Sequence, residues 1–147
     1  MVDILLANNP NFRQYYNASG RGYPDVSAQG VNFLIVEMGL TEPVGGTSAA
    51  SPTFDAIVGL LNSARIESGQ KPLGFLNPFL YSQGFAALND ITSRGSTGCA
   101  NEIPRASSNG TCGWDPVTGL GTPDFGKLLA LVAPEECNVV APWPIPR

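Results

Sequence analysis

The sequence predicts an α/β layered domain, because a β-rich run, a glycine-rich turn and a long amphipathic helix follow one another in the chain. The run at 31–38 (VNFLIVEM) is rich in β-branched and aromatic residues and predicts a mostly buried strand. Residues 41–44 (TEPV) predict a second short extended piece. A strand, a sharp turn and a helix in this order are typical of layered α/β domains. With 147 residues and 43% hydrophobic content, the chain is long enough for one domain, or for part of one.

The longest predicted helix follows the two glycines at 45–46. Apolar residues recur over 54–64 at three- and four-residue steps, the spacing of one helical face. Pro52 is expected in the first turn, where its missing N–H costs nothing, and Gly69 is expected to end the helix in the left-handed conformation.

Two shorter helices are predicted further along the chain, at 76–83 and at 125–132. A polar loop at 89–113 is expected between them. The tail from Pro134 contains three further prolines and is expected not to pack against the domain.

Charge and hydropathy exclude several classes of partner. The net charge of −4 comes without a basic stripe, so the electrostatic attraction that drives nucleic-acid binding has no source, and nucleic acid is not an expected partner. No apolar run approaches the roughly 20 residues needed to cross a bilayer, so a membrane is not an expected partner either. The opening residues lack a basic n-region, and we expect no signal peptide in this chain.

The cysteines and two glycosylation sequons favour an oxidising secretory compartment. Cys99 and Cys112 flank a short polar loop and could close it as a disulfide, which leaves Cys137 unpaired; the alternative is two independent buried thiols. The sequons begin at Asn17 and Asn109, and they point to the same compartment as that disulfide.

Ser48 stands in a turn that suits a nucleophile. Residues 45–52 (GGTSAASP) place two glycines and a helix N-terminus beside the serine, which permits close substrate approach and favours developing negative charge. The alternative is that Ser48 or Ser51 only caps the helix. The lipase motif G-x-S-x-G is not matched, because Ala50 stands at its second glycine. The sequence has no histidine, so no Ser-His-Asp triad can be built from it and any serine chemistry must use a different base. A carboxylate can serve as that base only if its pKa suits the working pH, which indicates acidic working conditions.

Residues 46–52 (GTSAASP) resemble the nucleophile motif of the sedolisin family, the serine-carboxyl peptidases that include tripeptidyl-peptidase I. Other segments resemble the family in the same order: 21–26 (RGYPDV), 72–78 (PLGFLNP), 89–92 (NDIT) and 113–121 (GWDPVTGLG). The resemblance implies the C-terminal portion of a subtilisin-like layered α/β fold with a calcium-binding loop.

The same resemblance sets the expected domain boundaries. Residues 17–133 would be the C-terminal part of a peptidase catalytic domain. Residues 1–16 would form an N-terminal segment, and residues 134–147 a proline-rich tail outside the domain, expected to be disordered.

The resemblance implies one Ca²⁺ ion. Its ligands would be the side chains of Asp90 and Asp115 and the backbone carbonyls of Ile91, Thr111 and Gly113, which are the hard oxygen donors that calcium prefers. The alternative is two aspartates that only shape turns and hold no metal. A disulfide in the cysteine-flanked loop would clamp this calcium loop.

The implied activity is that of a serine-type endopeptidase or tripeptidyl-peptidase acting on peptides or proteins. Ser48 would attack the peptide carbonyl, and a glutamate would accept its proton. In the family that glutamate, its helper aspartate and an oxyanion-hole aspartate lie well upstream, and this sequence offers no counterpart. Asp25 is expected to be structural, and Glu37 and Glu42 are expected to be solvent-exposed charges.

The chain alone is therefore expected to be almost inactive, with the N-terminal part of a catalytic domain as a partner. The full-length protein is expected to be secreted or to reside in a lysosome- or vacuole-like compartment. A second hypothesis, from a different class, is a non-catalytic calcium-stabilised module that has kept the shape and lost the chemistry.

Overall fold

The structure, a computed structural model, describes residues 17, 19–93, 95–98, 103–107 and 113–134. Of 95–98 and 103–107, only the backbone is described. The chain forms two units, the first comprising the described residues up to Ala28 and those from Asn89 to Thr122, and the second comprising 29–88 and those from Pro123. The described elements are helices and two-stranded sheets, a mixture compatible with the predicted α/β class. Residues 1–16 and the tail beyond Pro134 lie outside the described residues, as do the three cysteines.

The two predicted extended segments pair as a β-hairpin in the second unit. Strand β1 (Phe33–Glu37) pairs antiparallel with β2 (Leu40–Val44) along its whole length. The connection consists of Met38 and Gly39, which have φ angles of 50° and 81°. Positive φ at both central residues is the requirement of a type I′ turn, whose twist matches that of the strands it joins.

The prediction that the first strand is mostly buried is wrong. Leu34 is 66% exposed and Val36 is 75% exposed, whereas Phe33 and Ile35 on the other face are half-buried. Successive side chains of a strand point to opposite faces, so a hairpin that is packed on one side leaves its second face uncovered.

The predicted long helix is confirmed as α1 (Thr47–Glu67), and no helix in the described part of the chain is long and apolar enough to cross a membrane. Gly69 follows its C-terminus with φ of 73°, as expected for a left-handed cap. The prediction for Pro52 is wrong, because Pro52 is the sixth residue of α1 and lies beyond the first turn. The ring nitrogen has no proton to donate to the carbonyl four residues earlier, that of Ser48.

Both shorter helices are confirmed. Helix α2 spans Asn77–Ser82, a 3₁₀ turn follows at Gly84–Ala87, and α3 spans Phe125–Val132. Asp124 caps α3, with its Oδ1 accepting a hydrogen bond of 3.1 Å from the backbone N–H of Lys127. That backbone hydrogen bond, helped by the Lys127 side chain, lowers the pKa of the Asp124 carboxyl.

The core of the second unit is built where the three helices meet. Leu61 of α1, Leu80 of α2 and Leu128 of α3 are all nearly inaccessible to solvent. They surround a cavity of about 10 Å³ together with further apolar residues: Phe54, Ile57, Val58, Leu73, Leu76 and Phe79. A cavity of this size can hold at most about one water, so these side chains are closely packed.

In the first unit, part of the predicted polar loop at 89–113 is a β-hairpin. Strands β4 (Gly95–Gly98) and β5 (Ile103–Ser107) pair antiparallel through their backbones, with an irregularity in register near the middle. The loop prediction is wrong there, because β4 has the sequence GSTG and carries no apolar alternation that could reveal a strand. A third pair is formed by two-residue strands, β3 (Leu88–Asn89) and β6 (Thr122–Pro123).

Gly121→Ala is expected to destabilise the first unit strongly. Gly121 has φ of 99°, and a Cβ atom added there would overlap the backbone carbonyl of Asn89. Gly59→Ala in α1 is the matched control, because nothing lies within 4 Å of the added Cβ and alanine stabilises a helix by about 0.5–1 kcal/mol relative to glycine. Thermal unfolding followed by circular dichroism should show a lower Tm for the first variant and a slightly higher Tm for the second. Equal Tm values would contradict the close approach of Gly121 to Asn89.

Candidate functional site

Ser48 is the second residue of α1 and is exposed. The N-cap residue is Gly46, with φ of 96°, and no side chain caps the helix. The interpretation of Ser48 or Ser51 as the capping residue therefore does not describe this helix. Instead, the Gly46 carbonyl accepts hydrogen bonds from the N–H groups of Ala49 and Ala50, which leaves the serine hydroxyl without a capping role.

The glycine turn at 45–46, just before α1, is anchored to a distant glycine. The N–H of Gly46 donates a hydrogen bond of 2.6 Å to the carbonyl of Gly30. A Cβ atom at Gly30 would lie 3.2 Å from the Gly46 oxygen, and one at Gly45 would lie 3.3 Å from the Gly30 oxygen. Three glycines thus allow two backbone segments to approach closely just before Ser48, and this contact positions the start of α1. Gly30 belongs to no motif, so sequence reasoning missed it; a contact between glycines 16 positions apart leaves no local signal.

An apolar groove of about 510 Å³ begins at Ser48. It runs along α1 to Leu60, a distance of roughly 18 Å at about 1.5 Å per residue. Its walls come from α1 and from one face of the β1–β2 hairpin, and the other lining residues are Phe33, Ile35, Val44, Ala49, Pro52, Thr53, Ala56 and Ile57.

No acid or base is among the residues that line this groove. Thr53 donates its hydroxyl proton to the Ala49 carbonyl at 2.8 Å, so that hydroxyl is already engaged. The Ser48 hydroxyl forms no hydrogen bond with another described residue. Glu37 and Glu42 are exposed, as expected. A base for Ser48 is therefore not found among the groove residues.

The segment at 21–26 is tied to the segment at 113–121 within the first unit. The indole N–H of Trp114 donates to the Pro24 carbonyl at 2.7 Å, and the Leu120 N–H donates to the Asp25 carbonyl at 2.9 Å. Arg21 stacks over the Tyr23 ring with its guanidinium carbon 4.7 Å from the ring centroid, and it forms an ion pair with the Asp25 carboxylate. The hydrogen bond with that carboxylate, followed by one with Tyr23, raises the pKa of Arg21.

In the described structure, the Asp25 carboxylate forms an ion pair with Arg21. Trp114 is a structural residue that sequence reasoning did not single out. A buried tryptophan needs a partner for its indole N–H, but the burial of Trp114 is known only from the structure, so no sequence signal pointed to this contact.

The predicted calcium ligands that the structure describes all lie in the first unit. Asp90 is exposed, and its Oδ2 accepts a hydrogen bond of 2.7 Å from the Gly113 N–H, which brings two of the predicted residues into contact. Ile91 follows Asp90 in the chain. Asp115 lies two residues after Gly113 and is buried, with 1% of its surface exposed. Thr111 lies outside the described residues.

Asp115 closes a tight turn with its carboxylate. Oδ1 accepts hydrogen bonds from the N–H groups of Val117 (2.7 Å) and Thr118 (2.8 Å), and Oδ2 accepts one from the Thr118 hydroxyl. The backbones of Asp115 and Gly119 exchange two hydrogen bonds of 3.0 Å. This arrangement accounts for the turn without a metal.

The donor set also fits a hard cation. A carboxylate has about four lone-pair positions, so the three hydrogen bonds leave Asp115 about one position, and Asp90 has more. Among the described residues, no cationic side chain forms an ion pair with the buried Asp115 carboxylate. No group of three or more His, Cys, Asp or Glu in the described part of the chain could hold a metal, so any cation here would depend on backbone carbonyls for much of its shell.

No protein-family model matches the chain. Curated fungal proteins do match it. A probable tripeptidyl-peptidase SED3 of Trichophyton verrucosum is 48% identical over 126 residues, which are 80% of this chain and 21% of that protein. Tripeptidyl-peptidase sed4 of Aspergillus fumigatus is 49% identical over 136 residues, 82% of this chain and 23% of that protein. A probable tripeptidyl-peptidase SED2 of Arthroderma benhamiae is 45% identical over 140 residues, 88% of this chain and 24% of that protein.

These relatives are all named tripeptidyl-peptidases, and each is identical to this chain at close to half of the aligned positions. The match to these relatives confirms the resemblance to the sedolisin family seen in the ordered motifs. The chain matches a C-terminal segment of these tripeptidyl-peptidases and spans about a fifth to a quarter of their length.

Proposed function

We propose that this chain is the nucleophile-bearing part of a sedolisin-type serine peptidase that hydrolyses peptide bonds at acidic pH through Ser48. The observation that carries the proposal is the placement of Ser48: it is exposed at the start of a 21-residue helix, on a turn packed against Gly30, with its hydroxyl engaged by no described residue. A serine in this position is accessible to a substrate carbonyl and lies beside the positive end of the helix dipole.

The reaction we propose is acyl transfer. Ser48 Oγ attacks the peptide carbonyl carbon while a carboxylate accepts the hydroxyl proton, and the amine leaves with a proton returned by that acid. Water then hydrolyses the acyl-enzyme by the same route in reverse. Because the sequence has no histidine and the groove residues supply no base, the carboxylate would come from polypeptide corresponding to the rest of the relatives.

Two apolar surfaces of the second unit support the proposal that further polypeptide completes the active site. The outer face of the hairpin holds Leu34 and Val36, which lie opposite Pro43 and Thr41 across the strands, and it contains no charged residue. An exposed hairpin face would ordinarily be polar, so this apolar face and the groove along α1 are typical of surfaces that another part of a protein covers. We propose that the N-terminal part of a subtilisin-like catalytic domain covers them and completes the active site.

The tripeptidyl-peptidase names of the relatives suggest the substrate class. We propose that the complete enzyme acts on peptides or proteins and releases tripeptides, and that it works outside the cell or in an acidic lysosome- or vacuole-like compartment. The acidic location agrees with a carboxylate base, which is effective where the pH is close to its pKa.

We further propose that Asp90 and Asp115, with the carbonyls of Ile91, Thr111 and Gly113, hold one Ca²⁺ ion. The hydrogen bond between Asp90 and Gly113 supports this proposal, because it brings two separate segments of the ligand set together. A bound divalent cation would cross-link these segments and neutralise the buried Asp115 charge.

Calcium is expected to raise the Tm of the chain, and Asp90→Asn is expected to reduce that rise. The asparagine oxygen can still accept the Gly113 N–H, but one of the two ligand charges is removed. At a calcium concentration of about 100 times Kd, linkage predicts a stabilisation of about 2.7 kcal/mol. Asp55→Asn, which removes an exposed acid on α1, is the matched control. An equal calcium-induced change in Tm for wild type and both variants would contradict the site.

The peptidase proposal is tested with a chimeric enzyme. A chimera carries residues 17–133 of this chain in place of the matching segment of Aspergillus fumigatus sed4, and it is assayed with a fluorogenic tripeptide amide in acidic buffer containing calcium. We expect activity from the chimera and almost none from the chain alone. A chimera that folds, binds calcium and has no activity would instead support the non-catalytic module.

A further inference from the structure

Pro52 lies inside α1, about one turn after Ser48, and the proposed peptidase chemistry does not use it. Proline is the least favourable residue in a helix interior, because it lacks the backbone N–H and its ring presses on the carbonyl four residues earlier. Here that carbonyl belongs to Ser48. Pro52 is exposed and lines the groove, so burial in the second unit does not account for its presence. A residue that breaks a local rule beside a candidate nucleophile indicates a functional constraint.

We propose that Pro52 is a positioning residue, which sets the backbone of Ser48 and, through the backbone, the direction of the serine hydroxyl. The inference rests on the proposed function, in which Ser48 is the nucleophile. The absent N–H deprives the Ser48 carbonyl of its usual helical donor, and the proline ring presses that carbonyl away from the helix axis. The Ser48 side chain thereby takes an orientation that an uninterrupted helix would not give it.

Two neighbouring contacts support a specific shape for the first turns of α1. Before Ser48, the Gly46 N–H donates to the Gly30 carbonyl at 2.6 Å and anchors the start of the helix. After it, the Thr53 hydroxyl donates to the Ala49 carbonyl at 2.8 Å, a side-chain hydrogen bond of the kind that bends helices. Because the start of the helix is anchored, the effect of a new N–H at position 52 falls on the turn that contains Ser48.

The test is Pro52→Ala, made both in the chimera with the Aspergillus fumigatus relative and in the chain alone. Alanine restores the N–H and is the best helix former, so we expect the Tm to rise. We expect kcat to fall by about 10²-fold, the loss that a displacement of about 1 Å can cause, while KM changes little. A merely structural role for Pro52 would leave kcat unchanged. Ser51→Ala is the matched control, because it improves helix propensity at the adjacent position without adding an N–H, and it should keep the kcat of the parent.

An NMR measurement on the chain alone separates this proposal from the peptidase assignment. The carbonyl carbon resonance of Ser48 should move downfield in Pro52→Ala, because that carbonyl gains a hydrogen bond, and should move much less in Ser51→Ala. If the parent chimera is inactive, the peptidase assignment fails, and the Ser48 resonance alone decides whether Pro52 sets this backbone. An unmoved resonance, or an unchanged kcat for Pro52→Ala in an active chimera, would overturn the proposal.

Discussion

Ser48→Ala in the chimera with the Aspergillus fumigatus relative is expected to lower kcat by about 10⁴-fold or more. Removing the nucleophile of a serine peptidase leaves only the rate enhancement of substrate binding and oxyanion stabilisation. The measurement is hydrolysis of a fluorogenic tripeptide amide under acidic conditions, with enzyme concentration taken from the folded fraction. Because Ser48 is exposed and caps nothing, the substitution should leave the Tm within a degree or so of the parent.

Ser51→Ala in the same chimera is the matched control. Ser51 is a second exposed serine of α1, three residues beyond Ser48, and alanine is a better helix former than serine. We expect its activity to stay close to that of the parent. If Ser48→Ala retained most of the activity, or if Ser51→Ala lost as much, the assignment of Ser48 as the nucleophile would be wrong.

Leu61→Ala is expected to destabilise the second unit by about 2–5 kcal/mol. Leu61 is 2% exposed and lies among side chains of all three helices, so its truncation leaves a cavity that the surrounding residues cannot fill without moving. Denaturant unfolding of the chain, followed by circular dichroism, measures this as a lower midpoint with an unchanged slope.

Leu60→Ala is the control for this prediction. Leu60 is the adjacent residue of α1 and is 58% exposed in this chain, so its truncation removes few packing contacts and should change stability by less than about 0.5 kcal/mol. Leu60 also lines the groove that begins at Ser48. A loss of stability as large as that of Leu61→Ala would contradict the exposed position of Leu60.

Helices and strands with a strong local pattern were predictable from the sequence. The apolar spacing at 54–64 and the glycines on either side predicted α1, and the β-branched run predicted β1. The β4–β5 hairpin was not predictable, because neither GSTG nor IPRAS shows the alternation of apolar and polar residues that reveals a strand. Pro52 was misplaced because helix starts are set by capping contacts, and α1 begins after a glycine that bonds a distant segment.

In the candidate site, too, some features were predictable from the sequence and others were not. Ser48, Asp90 and Asp115 were predicted as candidate site residues from motifs, because their residue types and neighbours are constrained over short distances. The contact of Gly113 with Asp90 and that of Trp114 with Pro24 join segments separated by 23 and 90 positions, and nothing local in the sequence reports such pairs.

The sequence by itself determined the family, the nucleophile candidate and the main helices, since these depend on residue identity and on periodicity along the chain. Only the tertiary structure decided which faces are buried. Leu34 and Val36 have the composition of a buried strand and yet are exposed, because burial depends on what packs against a face rather than on the residues that form it. The same reason explains Gly30: its role depends on the close approach of the glycine turn at 45–46, and that approach exists only in the folded chain.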